Sequence, residues 1–132
     1  MARILVIDDS PTVIAALTRT LEREGHRVSS VSDAPAFYAK VREFDPDLVF
    51  LDLEMPGMSG RQIGEFLGRF HKKETPIVIL SARPREELES AAREIRAAAF
   101  LEKSQGSIAI SNTVRSVLLA AERRKNGESR RA

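Results

Sequence analysis

The residues of this chain that could do chemistry together are carboxylates, one hydroxyl and one ammonium, each at the end of a short apolar run. Asp8 and Asp9 follow the first run, Asp52 follows a later run, Ser81 ends the next, and Lys103 lies just after the last. Close carboxylates repel one another unless a hard cation neutralises them, and oxygen ligands without His or Cys suit magnesium. The ammonium can grip an anionic oxygen and the hydroxyl can donate to another. These residue types predict a magnesium-dependent phosphoryl site.

Each of these residues taken alone has a simpler interpretation. An Asp at the end of a strand is usually a turn or cap residue, and a single Ser or Lys indicates almost nothing. The hypothesis therefore depends on elements that bring all five positions to one edge of the molecule.

Five segments are predicted to be strands. The apolar runs are typical of strands buried on both faces, whereas the second segment mixes Val with Ser, as a half-exposed edge strand does. The segments are 4–7, 27–31, 48–51, 77–80 and 99–101.

Between these strands, apolar residues recur at helical spacing. Ser10 and Pro11 are typical of a helix start and Gly25 of a helix stop. The stripes are Val13, Ile14, Leu17 and Leu21; Phe37 and Val41; Ile63, Leu67 and Phe70; Leu88, Ala92 and Ile95; and Ile110, Val114, Val117 and Leu118. Strand and helix alternate five times, which predicts an α/β fold whose parallel sheet carries helices on both faces. Ligands of such sheets bind at the carboxyl ends of the strands, where the five chemical positions fall.

Four stretches resemble the receiver domains of bacterial two-component response regulators, of the stand-alone, chemotaxis-regulator-like kind. They are Ile-Leu-Val-Ile-Asp-Asp-Ser-Pro-Thr at 4–12, Asp-Leu-Val-Phe-Leu-Asp-Leu-Glu-Met-Pro-Gly-Met-Ser-Gly at 47–60, Ile-Leu-Ser-Ala at 79–82 and Phe-Leu-Glu-Lys at 100–103. The similarity runs from about residue 3 to residue 122. It implies a flavodoxin-like five-stranded parallel sheet in the order 2-1-3-4-5, with helices on both faces.

The resemblance also implies a role for each site residue. Asp52 would be the phosphoacceptor, and Asp8 and Asp9 the acid pair that holds Mg²⁺ together with Asp52 and the backbone carbonyl of Glu54. Lys103 would be the family's invariant lysine.

Two further residues would form the switch. Ser81 would supply its hydroxyl and Phe100 its aromatic ring, although a Phe on a short strand is equally typical of a core residue. The segment 55–60, Met-Pro-Gly-Met-Ser-Gly, predicts a tight loop after Asp52.

The function implied is that of a signalling switch. A sensor histidine kinase or phosphotransfer protein would pass a phosphoryl group to Asp52, and the face formed by the fourth helix, fifth strand and fifth helix would then engage a downstream protein. The chain would not be an enzyme, beyond dephosphorylating itself.

Two alternatives come from other classes. One is a phosphorylation-independent interaction module with the receiver fold. The other, a flavin or nucleotide binder, is disfavoured because Asp8 and Asp9 would repel a phosphate in the first loop.

The sequence departs from the family pattern at three positions. Ser104 follows Lys103 where the family usually has Pro, and Arg96 and Ala99 stand where glycines are usual. A non-proline cis bond costs roughly 3 kcal/mol, so we predict that the Lys103–Ser104 peptide is trans. Because Arg96 and Ala99 replace glycines, the sequence does not determine the conformation of the loop before the fifth strand. Glu54 and Arg83, each two residues beyond a site residue, are expected to face each other across the mouth of the site.

Composition excludes several classes of protein. The chain has 132 residues, no Cys, a formal charge of +2 and a pI near 9.3. Its basic residues are spread out and no groove-reading motif accompanies them, so direct nucleic-acid binding is not expected. No apolar run approaches the ~20 residues of a membrane span, and the first residues lack a secretory signal, so a cytoplasmic location is expected.

The remaining expectations concern histidines and domain limits. His26 and His71 cannot make a zinc site alone and are predicted to be surface residues. Residues 1–122 are expected to form the receiver domain, and 123–132 a basic tail that is disordered or a fraying helix end rather than a docking arm.

Overall fold

A computed structural model describes residues 1–54, 59–70 and 75–131, including all side chains except those of residues 69, 70 and 128–131. The elements in chain order are β1 (Arg3–Ile7), α1 (Pro11–Arg23), β2 (Arg27–Val31), α2 (Ala34–Phe44), β3 (Leu48–Leu51), α3 (Gly60–Phe70), β4 (Ile77–Ser81), α4 (Arg85–Ile95), β5 (Ala99–Glu102) and α5 (Gly106–Arg131). A 3₁₀ turn, Lys103–Gln105, joins β5 to α5. The strands form one parallel sheet in the order β2-β1-β3-β4-β5, which confirms the predicted fold.

Alternation along the strands places a hydrophobic core on each face of this sheet. On one face Ile4 and Val6 of β1 pack with residues of α1 and α5, among them Leu17 and Val114. On the other face Leu5 and Ile7 belong to a second core, with residues of α2 and α3. Both faces of β1 are therefore fully covered, as the uninterrupted apolar run predicts.

Helix α1 begins and ends at the residues expected from the sequence. The Ser10 hydroxyl oxygen accepts a hydrogen bond from the Val13 amide at 3.3 Å, and Pro11 occupies the first helical position. After the helix, Gly25 has a φ of 90°, a left-handed conformation that glycine adopts without steric cost.

Helix α4 is held mainly at its two ends. Of its residues, all described, only Leu88 is buried. At its carboxyl end Ile95 packs over Gly60, whose missing Cβ would lie 3.4 Å from the Ile95 side chain. The helix stops at Arg96, which has a φ of 57° and donates its amide to carbonyls of the last turn. Arg96 thus takes the left-handed position for which glycine is usual.

The structure also bears on the predictions for one peptide bond, the two histidines and the loop after Asp52. The Lys103–Ser104 peptide is trans, as predicted. His26, predicted to be a surface residue, is only partly buried, and its Nδ1 accepts a hydrogen bond from the Ala2 amide at 3.1 Å. His71 and the loop residues 55–58 lie outside the described residues.

The basic segment that follows residue 122 continues α5 as helix to Arg131. The boundary between receiver domain and tail stays a prediction. Among the described residues, none of the helices combines the length and apolar character that a membrane span requires.

Candidate functional site

Strand register brings two of the predicted carboxylates together. Ile7, the last residue of β1, pairs with Leu51, the last residue of β3. The Asp52 amide donates to the Ile7 carbonyl at 3.0 Å, so the ladder continues one residue beyond the strand. Asp8 and Asp52 therefore leave neighbouring strands at the same level, at the carboxyl edge of the sheet.

Asp8, Asp9 and Asp52 form a cluster in which one carboxylate oxygen from each residue lies within 4.8 Å of the others. Asp8 and Asp52 are buried, with 1% and 3% of their surface exposed, whereas Asp9 is exposed. The cluster thus has two fixed acids at its base and one at its mouth.

Backbone amides orient the two buried carboxylates. The Asp8 Oδ1 accepts a hydrogen bond from the Ser10 amide at 2.8 Å, and the Asp52 Oδ1 accepts one from the Glu54 amide at 3.0 Å. Each bond ties one oxygen to the loop that follows its strand, as Asp does in Asx turns. The second oxygen of each carboxylate then points to a shared partner.

That partner is Lys103, whose ammonium lies 3.1 Å from the Asp52 Oδ2 and 3.2 Å from the Asp8 Oδ2. Burial of the ammonium acts to lower the pKa of Lys103, but the hydrogen bonds and charges of Asp52 and Asp8 outweigh this and raise the pKa above its ordinary value. Lys103 is therefore a cation at neutral pH.

Ser81 completes the inner part of the site. It ends β4, is fully buried, and pairs in register with Glu102, the residue before Lys103. Its Oγ accepts a hydrogen bond from the Arg83 amide at 3.2 Å. The hydroxyl proton makes no hydrogen bond with the described residues, so it is available to donate to a ligand oxygen.

Phe100 lies on β5, partly buried, and is covered from α4. The Arg85 guanidinium sits 5.4 Å from the centre of the ring, within the range of a cation–π contact, and its Nε lies 3.2 Å from the Glu89 Oε1. The role of Arg85 was missed from the sequence, because the only local signal was an ordinary i, i+4 Arg–Glu pair.

The expected pair across the mouth is present. The Arg83 Nε lies 3.7 Å from the Glu54 Oε1, and both side chains are about half exposed. The contact follows from the lengths of the two loops, each of which carries a charged residue two positions beyond a site residue.

The donor set fits a magnesium ion. Three carboxylates converge on one point, and the described residues place no His beside them. Oxygen ligands of this kind, with room for waters, are those that Mg²⁺ prefers. The role of the Glu54 carbonyl as a further ligand stays a prediction.

Two curated proteins show how far sequence similarity extends. The chain is 37% identical over 87 residues to protein PilH of Pseudomonas aeruginosa, an alignment that covers 65% of this chain and 72% of PilH. It is 41% identical over 81 residues to the DNA-binding response regulator MtrA of Mycolicibacterium smegmatis, covering 61% of this chain and only 35% of MtrA. The chain therefore spans about a third of MtrA, and the DNA binding in that name belongs to MtrA.

Solved structures with the same fold include two regulators. The TM-score is 0.88 with NtrX from Brucella abortus, at 26% identity, over 98% of this chain and 30% of NtrX. It is 0.78 with the chemotaxis response regulator CheY4 of Vibrio cholerae, at 25% identity, over 89% of this chain and 98% of CheY4. Residues 4–115 match the sequence profile of a protein family, the response regulator receiver domain. The chain thus belongs to the response regulator receiver domains, the switch modules of two-component signalling.

Proposed function

We propose that this chain accepts a phosphoryl group on Asp52, with Mg²⁺ held by Asp8, Asp9 and Asp52, and so acts as a phosphorylation-dependent switch. The observation that carries the proposal is the position of Asp52. Its carboxylate is 3% exposed, hydrogen bonded to Lys103 and surrounded by two more acids, on the edge of the sheet where ligands bind.

The reaction would be an in-line transfer. A carboxylate oxygen of Asp52 forms a bond to phosphorus while the bond between phosphorus and the donor's imidazole nitrogen breaks, and the imidazole leaves neutral once it has a proton. When bound, Mg²⁺ would neutralise charge on the phosphoryl oxygens. Lys103 would bind one of these oxygens as a fixed cation.

The proposed donor is a sensor histidine kinase or a phosphotransfer protein, and the acceptor is this chain itself. We therefore infer that it is not an enzyme acting on a separate substrate, and we place the reaction in the cytoplasm, as expected from the sequence. Self-dephosphorylation through hydrolysis of the acyl phosphate is the one turnover we include.

The proposed output passes through Ser81 and Phe100 to the face formed by α4, β5 and α5. Ser81 would move toward Asp52 to donate its hydroxyl proton to a phosphoryl oxygen. The space it leaves lets the ring of Phe100 turn inward, which removes the ring from the Arg85 guanidinium. A partner that prefers the altered face by about 1 to 3 kcal/mol gives a usable switch.

The test is labelling with acetyl phosphate and magnesium, read by mass spectrometry of the intact chain and its peptides. We expect one phosphate adduct on Asp52, none in Asp52→Asn, and none when EDTA replaces the metal. Asp47→Asn is the matched control, because Asp47 precedes β3 at the opposite edge of the sheet and Asn keeps an oxygen that can accept from the Arg3 amide, so labelling should stay intact. Labelling of Asp52→Asn at the wild-type rate would show that the acceptor is a different residue.

A chain that takes up no phosphate at all would instead support the phosphorylation-independent interaction module. To separate output from labelling, unmodified protein is compared with its beryllofluoride complex by NMR. We expect Phe100 and the α4 amides to shift; one ring position in both states would overturn the proposed output while leaving Asp52 as the acceptor.

A further inference from the structure

The outer side of α5 carries a short stripe that the proposed phosphoryl site does not use. Arg115, Leu118, Leu119 and Glu122 follow one another at spacings of three, one and three residues, so they lie on one side of the helix. Leu119 is 47% exposed, which makes it one of three large apolar side chains found exposed among the described residues. Together with Glu24 and His26, these residues line a shallow groove beside the end of α1.

The two charges of this stripe, Arg115 and Glu122, are without a partner in the part of the chain that the structure describes. Neither Arg115 nor Glu122 has a hydrogen bond or ion pair among the described residues. They are separated by seven residues, or about 10 Å along the axis, which is too far for a direct pair. The stripe is therefore an apolar centre with one positive end and one negative end.

This arrangement is complementary to itself when it is turned through 180°. In an antiparallel pair of helices related by a two-fold axis near Leu118 and Leu119, Arg115 of one copy meets Glu122 of the other, twice. A parallel pair would instead place like charges opposite each other. The pattern thus favours one partner and one orientation.

We propose that a second copy of this chain docks on this stripe, forming an antiparallel α5–α5 dimer centred on Leu119. The contact is small, so the dissociation constant should lie at roughly 0.1 to 1 mM. The residues that line the groove belong to α5 and to the chain at the end of α1, and none of them belongs to α4 or β5, so a dimer centred there is expected to leave α4 and β5 free. The inference does not depend on phosphorylation of Asp52.

The test uses charge reversal, measured by sedimentation equilibrium from about 20 µM to about 1 mM. Arg115→Glu and Glu122→Arg each place two like-charged contacts in the interface, so each alone should raise the dissociation constant about tenfold. The double variant exchanges the two charges and should restore the wild-type constant to within about a factor of two. An equimolar mixture of the two single variants should associate better than either alone, because each supplies the charge the other lacks.

Two controls complete the design. Arg124→Glu makes the same charge change nine residues after Arg115, on the opposite side of α5, and should leave association unchanged. Leu119→Ser should weaken association without reducing stability, since the side chain is half exposed, and should leave labelling of Asp52 intact. A wild-type chain that stays monomeric to about 1 mM would overturn the proposal. So would a double variant no better than the single ones, or a dimer that none of these changes weakens.

Discussion

Lys103 determines how much negative charge the site holds. Three carboxylates converge there, from Asp8, Asp9 and Asp52, and against them the described residues place one ammonium, that of Lys103, which leaves a formal excess of two negative charges. That excess of negative charge attracts a divalent cation. In the absence of the cation, it repels the negatively charged phosphoryl group. The Lys103 ammonium and two backbone amides supply the partners that the buried carboxylates of Asp8 and Asp52 need.

The Glu54–Arg83 pair permits a prediction about the lifetime of the acyl phosphate. Because the pair spans the mouth of the site, it should hinder the approach of water to the phosphorus. Replacing both residues with Ala should shorten the lifetime about two- to threefold, a modest effect because exposed ion pairs are weak. Loss of label over time, followed by mass spectrometry, measures it.

The control for that prediction is a similar ion pair elsewhere on the surface. Arg61 and Glu65 of α3 lie 3.3 Å apart and are mostly exposed, and neither is part of the site. Their replacement by Ala should leave the lifetime unchanged. An equal effect from both double variants would indicate a general loss of stability rather than access of water.

The residues of the inner site were predictable because several carboxylates, a hydroxyl and an ammonium, each ordinary when taken alone, recur at the ends of successive strands. Asp8, Asp52, Ser81 and Lys103 each follow or end an apolar run, and the sheet order brings them together. The contact of Arg85 with Phe100 was not predictable, because it depends on how α4 leans over the edge strand. No local pattern records that angle.

Arg85 of α4 lies over the ring of Phe100, and its effect on the position of the ring can be tested. Arg85→Met keeps much of the stem but removes the charge over the ring, a contact worth about 0.5 to 1 kcal/mol. We expect the ring of Phe100 in the unmodified protein to sample the inward position more often, seen as a shift of its NMR signals toward those of the beryllofluoride complex. Arg93→Met, on the same helix but without a cation–π contact to the ring among the described residues, should cause no such shift.

Helix α3 offers a stability prediction. A Cβ on Gly64 would find one neighbour, the Ile95 carbonyl oxygen at 3.8 Å, which is ordinary contact. Gly64→Ala should therefore stabilise the fold by about 0.5 to 1 kcal/mol through the reduced flexibility of the unfolded chain and better helix propensity. Gly25→Ala, at a φ of 90°, should destabilise it by about 1 kcal/mol. Urea unfolding measures the free energy of unfolding of both variants. If the two substitutions changed it by equal amounts in the same direction, the prediction would be wrong.

At the scale of elements, the strands were predicted to within a residue at their ends, since burial on both faces leaves a strong apolar signal. Helix α5 shows the limit of such reasoning. Its apolar stripe ends near Leu118, yet the helix continues to Arg131. Helical hydrogen bonds need no apolar partner, so the pattern marks where a helix is packed rather than where it stops.

For the molecule as a whole, His26 predicts a dependence of stability on pH. Burial lowers the pKa of His26, although the charge of Glu24 opposes this, and the neutral ring accepts the Ala2 amide. As the pH falls below about 6.5, the unfolded chain takes up the proton more readily than the folded one, so stability falls with it. Protonation of Nδ1 removes the acceptor of the Ala2 amide, and loss of this hydrogen bond should lower the free energy of unfolding by about 1 kcal/mol.

Urea unfolding between pH 7.5 and pH 5, on the wild type and on His26→Asn, checks this. Asn retains an oxygen that can accept from Ala2 but does not titrate, so the difference between the two proteins should shrink or reverse as the pH falls. If the free energies of unfolding of the two proteins fell in parallel with pH, groups other than His26 would govern the loss of stability in acid.

The packing of α4 has a consequence for the exchange of amide hydrogens with solvent. Every strand but the edge ones is enclosed by two cores, whereas α4 is anchored by the single buried side chain of Leu88 and by Ile95 against α3. Opening this helix exposes little apolar surface, so it should cost far less free energy than unfolding the sheet. In deuterium oxide the amides of α4 should exchange well before those of β1 and β3. In the proposed switch, the helix that rearranges to pass on a signal would then also be the helix expected to open most often at rest.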